Sequence, residues 1–135
     1  MTMASPGDYT LFAAAITTAL TASAQTPIED LEGMTSAVLV ATMLGGTGGT
    51  SIALVAQISI DGGTTWLDVA RFDFLTTAAT KWATLDFTKE KAVAAYAALA
   101  SEGVNNSLRG AMMRAVVTSV GTYTNTTASL RVSVA

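Results

Sequence analysis

Between Ser51 and Ile60 every second residue is aliphatic (Ile52, Leu54, Ala56, Ile58, Ile60), and Asp61-Gly62-Gly63 follows at once. A period of two sets alternate side chains on opposite faces of an extended chain, so this segment predicts a strand with one buried face. The glycines tolerate the positive φ of a tight turn, so the chain is expected to reverse there and continue as a second strand, Trp66–Phe74. Upstream, Met34–Leu44 is apolar at both parities, as expected of a strand covered on both sides. Gly45-Gly46-Thr47-Gly48-Gly49 separates it from Ser51. Three strands joined by such turns form a β-meander.

The remaining segments extend the pattern. Residues 1–8 read as an N-terminal arm. Tyr9–Ala24 alternates, with Phe12, Ala14, Ile16, Thr18 and Leu20 on one face; this favours a strand, and its alanines leave a helix open. Thr26-Pro27 and the acidic Glu29, Asp30 and Glu32 lead to Gly33 as a solvated connection. Lys81–Thr88 is a short strand with Ala83, Leu85 and Phe87 on one face. Arg109–Val120 and Ala128–Val134 are the last two, the second pointing Leu130, Val132 and Val134 inward and Arg131 and Ser133 outward. One short helix is expected over Lys89–Ser101. Thr88 can cap it, Glu90 suits its first turn, Val93, Tyr96, Leu99 and Ala100 make an apolar stripe, and Gly103 lies just past its end. About seven or eight strands with one inserted helix predict an all-β, antiparallel β-sandwich of jelly-roll type, in a single domain over residues 1–135.

Composition narrows the function. The chain has no His and no Cys. That removes the commonest general base, the soft metal ligands and the usual nucleophilic triads, so no catalytic residue, cofactor or small-molecule substrate is expected. Seven Lys and Arg against ten Asp and Glu give a net charge of −3 with no basic stripe, which argues against nucleic acid. Leu11–Ala24 resembles a signal h-region in its apolar content, but no Lys or Arg precedes it and threonines interrupt it. No apolar run is long enough for a membrane helix. Half the residues are apolar and only 13% are charged, against about 25% in an ordinary soluble domain. Little charge is left to keep a small surface wet, so neighbouring proteins are expected to cover part of it.

Two loops carry the local motifs. Gly45, Gly46, Thr47, Gly48 and Gly49 lack the Lys of a phosphate-binding loop and precede a strand, so they read as a flexible hairpin tip and a candidate contact loop. Ser59-Ile60-Asp61-Gly62-Gly63-Thr64-Thr65-Trp66 matches S-x-D-x-G-x-T-W and resembles the Asp-box of sialidase-like propellers. The resemblance implies a structural hairpin of Ser59, Asp61, Gly63, Thr65 and Trp66, with side-chain oxygens serving the turn backbone and the indole packed beneath. The box occurs once, without the arginine cluster of those enzymes, so it implies nothing about sialic acid. Trp66 is expected to be a buried ring whose loss costs about 3–5 kcal/mol. Asp61, Asp68, Asp73 and Asp86 lack the spacing of a calcium loop, and no metal site is expected. Trp82 and Met112-Met113 read as core or interface filler.

Taken together, Val38–Phe74 and Arg114–Val134, with the strand–glycine tip–strand meander, S-I-D-G-G-T-T-W, and the terminal R-A-V-V-T-S-V-G-T-Y-T and A-S-L-R-V-S-V, resemble small virion proteins of tailed bacteriophages and phage-like particles. That resemblance implies a non-enzymatic virion protein assembled in the host cytoplasm. Capsid decoration (cement) or a head-surface position is the first expectation, with the major capsid protein and copies of itself as partners, a trimer being favoured. The alternative is a tail, baseplate or adsorption component, including a carbohydrate-binding module.

Overall fold

Alternation and turn chemistry are realised almost throughout residues 6–135, the part of the chain that the computed structural model describes. The strands are β1 (Gly7–Ile16), β2 (Leu20–Ala24), β3 (Ser36–Leu44), β4 (Thr47–Gly48), β5 (Ser51–Ser59), β6 (Leu67–Phe74), β7 (Ala79–Asp86), β8 (Gly103–Val104), β9 (Met112–Val120), β10 (Tyr123–Thr124) and β11 (Thr126–Val134). They take up 57% of the described residues. The fold is all-β. Of the expected arm, residues 1–5 lie outside the described residues, whereas Gly7 and Asp8 already belong to β1.

Every pairing is antiparallel. One sheet has the order β1-β11-β3-β7, a second β2-β9-β5-β6-β8, and β10-β4 form a small ribbon. Inward residues of both large sheets join a single apolar cluster, as in a β-sandwich: Leu39 and Leu130 from the first, Leu54, Phe72, Met113 and Val117 from the second. Burial along β11 follows the expected parity, with Leu130, Val132 and Val134 inside and Arg131 and Ser133 outside.

Three expectations change. Tyr9–Ala24 is two strands, because β1 pairs with β11 in one sheet while β2 pairs with β9 in the other. The chain crosses the sandwich edge between them, and a register shift between Thr10 and Phe12 buries both Leu11 and Phe12 and leaves Ala14 outside. Ile60 is 70% exposed, since the inward phase ends at Ser59, whose hydroxyl is taken up by the turn.

The third change is the largest: Lys89–Ser101 contains no helix, and none occurs among the described residues. The segment runs as an irregular strap across β6. Asp68 main-chain N–H donates to Tyr96 Oη (2.7 Å), and Leu99 N–H donates to Asp68 Oδ2 (3.0 Å). Arg71 Nη1 donates to the Leu99 carbonyl (2.9 Å). A helix this short is marginal by itself, and its stripe would have no apolar groove to enter; Val93 stays fully exposed. Fixed polar contacts along the strap therefore outweigh alanine's helix propensity.

Candidate contact surface

The Asp-box residues form one hydrogen-bonded turn. Ser59, only 1% exposed, accepts from Gly63 N–H at 2.8 Å and donates to Asp61 Oδ1 at 2.9 Å. Asp61 Oδ1 also accepts from Thr65 N–H (2.8 Å), and Trp66 Nε1–H donates to the Gly63 carbonyl (3.0 Å). Hydrogen bonding from the Thr65 backbone first, then from the Thr65 and Ser59 side chains, holds the Asp61 carboxyl below the ordinary aspartate range. Gly62 and Gly63 both take positive φ. The carboxylate is thus occupied by its own loop, and no group of three or more acidic, His or Cys side chains among the described residues is placed to hold a metal.

Trp66 departs from expectation in depth. Its ring is half-buried, and it packs under Arg114, whose guanidinium lies 4.2 Å from the ring centroid. Burial there lowers the Arg114 pKa. Arg114 Nε donates to Gln57 Oε1 (2.9 Å), and Gln57 Nε2 donates to Asp68 Oδ1 (2.8 Å), so the hairpin connects to the strap through one polar chain. With less apolar area to lose, Trp66→Ala is expected to cost about 1–3 kcal/mol, below the value for a core indole. Thermal melting of Trp66→Ala and Asp61→Ala should show lowered midpoints, equal in calcium and in chelator. A calcium-dependent rise in the wild type that Asp61→Ala abolishes would make the loop a metal site instead.

The glycine loop is exposed, and it is more than a flexible tip. Thr47 and Gly48 form β4 and pair with Thr124 and Tyr123 of β10. Gly49 sits on the ring of Tyr123, which is 3% exposed and donates its hydroxyl to the Leu75 carbonyl (3.0 Å). Burial raises the Tyr123 pKa. Gly45 to Gly49 are therefore brought together with the 121–125 turn at one end of the fold, while the Ser59–Trp66 hairpin belongs to a separate turn.

The remaining aspartates also serve the fold. Asp86 accepts from Thr88 N–H (3.0 Å) and its hydroxyl (2.9 Å), which lowers its pKa, the backbone bond first. Asp73 pairs with Arg71 at 2.8 Å. Glu102 pairs with Lys81 at 2.7 Å, and that hydrogen bond is the main cause lowering the Glu102 pKa.

The two large sheets differ on their outer faces. On the second, Val55, Gln57, Arg114 and Val116 are half-buried, and the Gln57–Arg114 and Gln57–Asp68 hydrogen bonds cross it. On the first, the described residues supply no cover: Trp82 is 69% exposed, Leu44 62%, Val38 40% and Val40 36%. Register places Thr10, Arg131, Val40 and Trp82 side by side across its four strands. Sequence reasoning recognised that Met34–Leu44 is apolar on both faces without assigning a face to Trp82. The signal was available, since Trp82 has the opposite parity to Ala83, Leu85 and Phe87. The chain matches no protein-family model, no curated protein and no solved structure.

Proposed function

We propose that the protein is a non-enzymatic virion structural protein of the capsid decoration or head-surface type, a jelly-roll-like sandwich that acts by burying surface against other proteins. The observation that carries this reading is the outer face of the β1-β11-β3-β7 sheet, which the described residues leave uncovered and where Val38, Val40, Leu44 and Trp82 stand exposed with little charge around them. Such a face is stabilised by removing it from water, and a symmetric shell multiplies a modest contact over many copies. The glycine loop, exposed but pinned on Tyr123, offers a second contact at the end of the fold, toward the major capsid protein.

Trp82 favours one alternative, because a single indole on a flat sheet also suits stacking against a sugar ring. That would be a tail or adsorption component carrying a carbohydrate-binding module. Mass-resolved stoichiometry of purified particles separates the two. Hundreds of copies per particle are expected for a decoration protein. A count of about six to a few dozen would favour the tail reading, and absence from the particle would end both.

A further inference from the structure

The bare sheet face also indicates its occupant. We infer that two copies of the chain pack outer sheet to outer sheet, through the β1-β11-β3-β7 face, about a two-fold axis running along the strands. This deepens the proposed function by naming the partner of that face, and it is tested on pure protein so that it fails independently of any particle assay.

Area comes first. Four strands about 4.8 Å apart and about nine residues long present roughly 19 by 30 Å, or about 570 Å² in projection. A stable interface buries about 800 Å² of accessible surface per partner, and a corrugated face exposes more than its projection. The face is thus of the size one partner contributes, and aligned sheet-on-sheet packing is a standard way to bury it.

Shape points to a second copy. Among the described residues Arg131 is the one charge in the centre of the face; Asp8 and Asp86 lie toward its ends. A hollow beside Arg131 is lined by Asp8, Thr10, Val38, Val40 and Ser133, and Trp82 projects from the opposite edge strand. A two-fold axis between β11 and β3 sets β7 of each copy over β1 of the other. In the register Thr10, Arg131, Val40, Trp82, that operation lays the partner's Trp82 over Thr10 and the partner's Val40 over Arg131. The indole then fills the hollow beside the guanidinium, a pairing this chain already makes internally between Arg114 and Trp66. The Asp8 carboxylate offers an acceptor for its N–H. The contact is isologous, so it closes at two copies and stands as an alternative to the expected trimer. It also leaves the Gly45–Gly49 loop free for other partners.

Sedimentation equilibrium of the full chain is expected to give twice the monomer mass at tens of micromolar. Val40→Lys and Trp82→Ala, both at exposed positions and therefore compatible with folding, should each weaken association at least tenfold, with circular dichroism unchanged. Arg131→Glu should do the same. Val120→Lys, exposed on β9 away from this face, should remain dimeric. A wild type that stays monomeric at hundreds of micromolar, or that forms trimers, overturns the inference. So does a dimer indifferent to Val40→Lys. A monomer that binds particles through Val40 would assign the face to the shell, sinking the dimer while leaving the proposed function standing.

Discussion

Gly49→Ala is expected to destabilise the protein by about 2–5 kcal/mol, read as a drop in the urea midpoint with unchanged slope. Two effects add. Gly49 has φ +75°, a conformation L side chains rarely adopt, and a Cβ built there falls on the Tyr123 ring. Tyr123 has no room to yield: it is buried, its hydroxyl is bonded to the Leu75 carbonyl, and its N–H donates to the Thr17 carbonyl at 2.9 Å. Displacing the ring therefore disturbs the 45–50 loop, the sheet crossing near Thr17 and the 75–78 turn together. Gly62→Ala separates the two effects, because Gly62 also has φ +75° but nothing lies within 4 Å of its Cβ position. It should lose only the backbone part, roughly 1–2 kcal/mol. Equal losses at the two positions would show that the contact with Tyr123 contributes nothing.

That contact marks the boundary of what could be read in advance. Strict alternation identified β5, β7 and β11 and their buried faces, because one wetted and one buried side leave a period of two in the residues themselves. The Asp-box turn was legible for the same reason: its hydrogen bonds join residues within six positions of one another. What failed depended on distant partners. Nothing within Tyr9–Ala24 marks the crossing between sheets, since both halves remain extended and only their neighbours differ. Nothing within Gly45–Gly49 announces Tyr123, more than seventy positions later.

The candidate surface was half legible. Val38 and Val40 were recognised as apolar residues needing cover, which follows from local sequence. Which sheet remains bare depends on the strap, whose local sequence predicts a helix. Its thirteen residues include six alanines, and cap residues flank them, so every local preference favours helix. The preference is worth only tenths of a kcal/mol per residue, whereas one hydrogen bond to a charged group contributes about 1.5–3 kcal/mol. A single buried carboxylate is enough to decide the outcome.

Asp68 is that carboxylate, and Asp68→Ala is expected to free the strap at a cost of about 2–5 kcal/mol. The side chain is 8% exposed and accepts from Gln57 Nε2 and from Leu99 N–H, so its removal leaves both donors without partners. The strap's other anchors are weaker alone: Asn105 Nδ2 donates to the Asp68 carbonyl (2.9 Å) and to the Ala97 carbonyl (3.2 Å), and β8 contributes a two-residue pairing with Ala70 and Arg71. The loss should therefore be local first. Amide exchange at Leu99 should accelerate far more than at Leu54 or Leu130 in the sandwich core, and limited proteolysis should cut within residues 89–101. Asp68→Asn keeps one acceptor oxygen and should fall between wild type and alanine. Uniform acceleration of exchange across core and strap would show that Asp68 stabilises the whole sandwich, and the strap would then have to be held by Arg71, Asn105 and Tyr96 alone.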